Sequence, residues 1–175
     1  MKVKYRILIA VAPAIFLFDQ LSKWAVASGI ELGSRVPVIP GFFDLAHFRN
    51  PGAAFGMMAR LPDSFRVPFF YAVSALAVVL LIYFYLKLGT AERLLPLALS
   101  LVLGGIAGNV LDRIRFGAVI DFLSFHIGDV VVEGTLLGRH FSVPMEWPAF
   151  NVADAAITVA MFLLLYSALF QKRKE

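Results

Sequence analysis

The sequence predicts an all-α membrane protein with a small β element: four transmembrane helices and a small extracytoplasmic sheet. Three observations carry that prediction. Hydrophobic residues make up 60% of the 175, and the mean hydropathy is +0.81, well above what a soluble domain with a polar surface shows. Four apolar runs are each long enough to cross hydrocarbon, which takes ~20 helical residues. Two longer polar connections, rich in turn residues, separate them into one helix, a hairpin of two, and one helix.

The first run spans about residues 7–26 and follows Lys2, Lys4 and Arg6. That flank resembles a secretory signal peptide, and Ala25-Val26-Ala27 offers small residues at a cleavage position. Asp19 and Lys23 interrupt the run before that point, so a retained spanning helix is expected. The connection at about 29–67 contains the alternating segments Arg35 to Ile39 and Phe43 to Phe48, read as short strands, with Pro37 confining the first to a sheet edge. The second helix is expected at about 68–88 and the third at about 94–111, with Pro96 in the latter's first turn, where a missing N–H does little harm. A second connection, about 113–150, leads to the last helix at about 151–170. The whole is read as a single integral membrane domain. Short basic flanks at both termini and at Lys87/Arg93 place both termini in the cytoplasm and both long connections outside. Arg35, Arg49, Arg60 and Arg66 weaken that bias, but long translocated segments count for less in the rule.

Composition also excludes chemistry. The net charge of +4 gathers beside apolar runs, without a basic aromatic stripe, so membrane lipid headgroups rather than nucleic acid are the expected partners. Cysteine is absent, which removes thiolate nucleophiles, zinc-thiolate sites and disulfide exchange. His47, His126 and His140 are scattered and form no HExxH-type pair, so no metal or cofactor is expected.

Ionisable groups at membrane depth cost several kcal/mol unless paired or facing a wet cavity, so they direct the search for a site. Asp19 and Lys23 stand four apart on the first helix with the acid N-terminal, the favourable order for an intrahelical pair. They read as architecture beside a site. On the third helix Ser100, Gly104, Gly108 and Asp112 form one face, and Leu101, Gly105, Asn109 and Arg113 the adjoining one. Close helix packing explains the glycines. It does not explain Asn109, Asp112 and Arg113 within little more than a turn. Asp121 lies alone in an apolar segment, and Asp154 follows Asn151 at the start of the last helix, where an N-cap with a first-turn acid would satisfy local rules. Capping leaves Asp121 unexplained, although the topology brings it to the same outer boundary.

Five ordered blocks resemble the signatures of bacterial lipoprotein signal peptidases (signal peptidase II), an intramembrane aspartyl peptidase family. They are Phe18 to Lys23, Asn50 to Gly56, Gly108 to Arg113, Val119 to Phe122 and Phe150 to Asp154. The resemblance covers nearly the whole chain, apart from a stretch at about 127–148 that is longer than the family leads one to expect. It implies an endopeptidase of the bacterial inner membrane with its active site near the outer face. Asp121 and Asp154 would be its catalytic dyad; Asn50, Gly108, Asn109, Arg113 and Asn151 would line the substrate pocket; Asp19, Lys23 and Asp112 would support it. The implied substrate is a diacylglyceryl-modified prolipoprotein, cut on the N-terminal side of the lipidated cysteine. Paired carboxylates suit this work, because two acids held close share one proton and activate water between them. The loop from Asn50 to Gly56 is a candidate lid. Two other readings compete: a small proton-coupled transporter with the buried acids as a relay, and a structural subunit. No oligomer interface is legible, so a monomer is expected.

Overall fold

The computed structural model describes residues 1–52, 58, 61–90, 92–136 and 139–170. Four helices cross it, α1 (Val3–Gly29), α2 (Asp63–Lys87), α3 (Leu94–Phe116) and α4 (Val152–Phe170), and each is long and apolar enough to span a membrane. Four strands, β1 (Arg35–Ile39), β2 (Phe43–Asn50), β3 (Val119–Leu136) and β4 (Arg139–Phe150), form one antiparallel sheet in the order β1-β2-β3-β4. The all-helical membrane class with a small sheet is therefore the architecture observed.

α3 is the axis of the bundle, packed on α1 and α4 and more lightly on α2. Its glycines make this possible. A Cβ on Gly104 would stand 2.6 Å from the Ala12 carbonyl oxygen of α1, and one on Gly105 would stand 2.7 Å from the Ala153 carbonyl oxygen of α4. The two small-residue faces read from the sequence thus receive two different helices, as close backbone approach requires. By contrast α2 buries little beyond Arg66 and Tyr85, and Leu76, Val79 and Ile82 point outward, as lipid-facing side chains do.

Helix ends differ from the sequence reading for local reasons. α1 begins at Val3 rather than near Ile7, because Lys4 is buried and donates from Nζ to the carbonyls of Tyr85, Leu86 and Leu88 at the end of α2. α2 begins at Asp63, so Pro68 lies inside its second turn instead of opening it. α3 runs through Asp112 and Arg113 to Phe116 and stops at Gly117, whose φ of 68° is left-handed and whose N–H bonds to the Arg113 carbonyl oxygen. That stop turns the chain directly into β3.

Pro37 does lie in an edge strand, β1. The second connection holds more order than expected, since β3 and β4 pair antiparallel along most of it, running well beyond the short part of the sheet that meets the helices. Pairing of Phe48 with Asp121 and of Asn50 with Val119 puts the four side chains on one face, because strand side chains alternate. That face looks toward the ends of α3 and α4.

Candidate active site

The site is assembled where α3 ends, β3 begins and α4 begins. Asp121 comes from β3 and Asp154 from the first turn of α4. Both line one cavity of about 960 Å³, whose wall includes Phe48, Trp147, Pro148, Ile157 and Val159 and whose polar side carries Asn50, Asn109 and Arg113. An apolar cleft with a few convergent polar groups is the usual form of a binding site.

Three asparagines aim their N–H groups at the two acids. Asn50 donates from Nδ2 to Asp121 Oδ2 at 3.0 Å while its Oδ1 accepts the Gly52 N–H. Asn151 donates from Nδ2 to Asp121 Oδ1 at 2.8 Å and accepts the Asp154 N–H at Oδ1. Asn109 donates from Nδ2 to Asp154 Oδ1 at 2.8 Å and accepts from Lys23 Nζ. In each case the amide oxygen meets a group that can only donate, which fixes which end faces the acid. The Asn151 N–H also reaches Asp154 Oδ2 at 3.3 Å, closing a reciprocal capping box. Capping and membership of the cavity therefore coexist at Asp154, and Asn151 touches both acids at once.

The electrostatics follow from burial. Desolvation, reinforced by the Asp154 carboxylate, pushes the Asp121 carboxyl up to about 7, against the opposing hydrogen bonds from Asn50 and Asn151.

Behind the acids lies a fully packed ionic knot. Lys23 Nζ is 2.9 Å from Asp19 Oδ2, 2.8 Å from Asp112 Oδ2 and 2.9 Å from Asn109 Oδ1, with all four side chains buried. Asp19 Oδ1 accepts the Ala153 N–H, and Asp112 Oδ2 accepts the Ile120 N–H. Each of those amides belongs to the residue preceding one of the cavity acids.

The family model for signal peptidase (SPase) II matches residues 11–170. The chain belongs to the signal peptidase II family. It is a protease, and the aspartic type accords with that family. Curated lipoprotein signal peptidases agree at full length. That of Syntrophotalea carbinolica is 42% identical over 162 residues, covering 93% of this chain and 90% of the relative. That of Geobacter metallireducens is 38% identical over 175 residues, covering 100% and 98%. A bacterial membrane enzyme solved by the in meso method at 2.3 Å superposes with a TM-score of 0.73 at 29% identity, covering 96% of this chain and 93% of that one.

Within this signal peptidase II fold, the residues singled out from the sequence gather at one end of the bundle, in two layers. Asn50, Asn109, Arg113, Asp121 and Asp154 stand on the cavity wall. Asn151 is fully buried and reaches the cavity through Asp121. Gly108 stands on the α1 side of α3 instead, where a Cβ would fall on Asp19 Oδ2. Asp19, Lys23 and Asp112 form the layer behind. Arg113 donates to the Gly52 carbonyl oxygen at 3.3 Å, and its guanidinium lies 4.4 Å from the centre of the Phe70 ring. The candidate lid residues Ala53 to Gly56 lie outside the described residues, as do Arg60 and the basic C-terminal flank. The histidines stand apart: His47 Nδ1 is 2.8 Å from the Ile30 carbonyl oxygen, His126 lies beside Asp44, and His140 beside Thr135. The sequence reading missed Gln20, whose side chain joins the ionic knot.

Proposed function

We propose that this peptidase removes signal peptides from diacylglyceryl-modified prolipoproteins, cleaving on the N-terminal side of the lipidated cysteine with Asp121 and Asp154 as a water-activating dyad. The observation that carries the reading is that Asn151 bridges from behind two acids that line one largely apolar cavity. Two carboxyls so placed share a proton and titrate as a pair. The ionised partner takes a proton from water as the oxygen attacks the scissile carbonyl, and the protonated partner hydrogen-bonds the carbonyl oxygen as it gains charge. When the tetrahedral intermediate collapses, the C–N bond breaks and a dyad carboxyl delivers a proton to the departing amine.

The surrounding groups suit these steps. Neutral amides hold both acids without neutralising the pair. Asn50, Asn109 and Arg113 are positioned to meet the peptide backbone of the substrate, and Asn151 and Gly108 act from behind, through Asp121 and Asp19. The apolar wall suits acyl chains, while a site at the helix ends gives the reaction access to water. In this reading the site faces outward from the bacterial inner membrane, both termini are cytoplasmic, and the enzyme works as a monomer.

Purified enzyme in detergent, given a diacylglyceryl-modified prolipoprotein, tests the proposal. Asp121→Asn and Asp154→Asn should each lower kcat by on the order of 10²–10⁴ with the fold retained. Turnover surviving in either variant would end the dyad reading, and proton flux through liposomes without any cleavage would favour a transporter.

A further inference from the structure

The ionic knot contains a side chain that neither the acid chemistry nor the cavity accounts for. Gln20 Nε2 lies 3.1 Å from Asp19 Oδ2, 3.1 Å from Asp112 Oδ1 and 3.2 Å from the Gly108 carbonyl oxygen. Its Oε1 lies 3.5 Å from Arg115 Nη1, which can only donate, so the amide is turned with its N–H groups inward. Gln20 is absent from the cavity wall.

We infer that Gln20 is a positioning residue for the proposed dyad, closing from one side a clamp that Lys23 closes from the other. The clamp has two jaws. Asp19 grips the Ala153 N–H, one residue before Asp154, and Asp112 grips the Ile120 N–H, one residue before Asp121. The relative placement of the two jaws therefore sets the relative placement of the two acids. Asp19 and Asp112 are both anionic and both lean on one ammonium, which leaves the trio one negative charge in excess. An amide that donates to both carboxylates draws them together without adding a charge. Without it Asp112 Oδ1 loses the donor it has here, and the jaw holding Ile120 is free to rotate toward another. Displacements of about 1 Å at a reacting group are enough to lower rates by roughly 10²-fold.

This inference rests on the dyad reading, and the experiment separates the two. Full-length Gln20→Met, of similar length but without a donor, and Gln20→Glu, which adds a third carboxyl, are assayed on the lipid-modified substrate for kcat, KM and pH–rate profile, per folded molecule. Gln20→Met should lower kcat roughly 10- to 100-fold with KM within twofold and a displaced pH profile, and Gln20→Glu should lower it further. If Gln20→Met does not fold, Gln20→Asn, whose amide stands one methylene short of the jaws, carries the same expectation. Wild-type kcat and pH profile in the folded variant would overturn the inference, as would a loss confined to KM. Run alongside, Asp121→Asn and Asp154→Asn identify which idea has failed: if they stay active the dyad falls, and if they are dead while Gln20→Met is normal only the clamp falls.

Discussion

Among the described residues two lysines are buried, at opposite ends of the bundle, and they are buried differently. Lys4, 3% exposed, gives its ammonium to three backbone carbonyls at the end of α2, and the Tyr85 hydroxyl donates to the Lys4 carbonyl oxygen at 2.5 Å. These carbonyls close the end of a helix, where a cation is favourable. Lys23, 1% exposed, gives its ammonium to two carboxylates and an amide, and each of those holds something else: Ala153, Ile120 or Asp154. A buried charge is thus not evidence of function by itself. What its partners hold decides whether the charge serves a helix end or an active site.

Replacing each lysine by methionine puts that difference at risk. Lys23→Met leaves two buried carboxylates without their cation, which should cost about 3–5 kcal/mol of stability. It should also lower kcat at least 10²-fold in whatever fraction remains folded. Lys4→Met strips a helix end of its donors and should cost about 1–3 kcal/mol, while turnover per folded molecule stays at the wild-type level. Thermal unfolding and single-turnover cleavage in the same detergent separate the two effects. Equal catalytic losses in both variants would mean that the Lys4 end of the bundle is coupled to the site and that the contrast is false.

Two glycines on one face of α3 sharpen the comparison at smaller scale. Gly104→Ala and Gly108→Ala both overpack the α1–α3 contact, and each should destabilise by about 1–3 kcal/mol. The added methyl meets the Ala12 carbonyl oxygen in one case and Asp19 Oδ2 in the other. Only the second displaces a jaw of the clamp, so only Gly108→Ala should lose turnover, by roughly 10-fold, once activity is expressed per folded molecule.

The same contrast explains what the sequence discloses. Helices of membrane length, and acids that lipid does not tolerate, stand out because hydrocarbon penalises exposed backbone and charge alike; hence Asp19, Lys23, Asp112, Asp121 and Asp154 are all visible. The small-residue faces of α3 are equally legible from their four-residue spacing. Gln20 is not, because a neutral amide breaks no rule of membrane composition, and its neighbours Asp19 and Asp112 are 1 and 92 positions away. The β3–β4 hairpin escapes for another reason. A run such as Val119 to Leu123 has no period that distinguishes a strand from the tail of a helix, and what ends α3 is the left-handed turn at Gly117 rather than the charges at Asp112 and Arg113. The N-terminal basic flank reads as topology alone, yet Lys4 is folded into the bundle.

The smallest effect expected lies in the titration of the cavity acids, and it tests whether the amides beside them favour the ionised form. Burial and the Asp154 charge raise the Asp121 carboxyl to about 7, so the proton that the pair shares is lost as pH rises through that value. An alkaline limb in kcat should therefore fall near pH 7. The Asn50 N–H favours the ionised form of Asp121. Asn50→Ala removes that support, the carboxyl keeps its proton longer, and the limb should move upward, by less than about one pH unit for a single hydrogen bond. Stability follows the same sign: for a carboxyl raised in the folded chain, its contribution is fully present below the ordinary carboxylate range and is lost as pH climbs toward 7. Asp121→Asn should flatten that slope between about pH 4 and 7. A limb that moves downward in Asn50→Ala would show that this amide instead favours the protonated acid, and the orientation deduced from the Gly52 contact would have to be reversed.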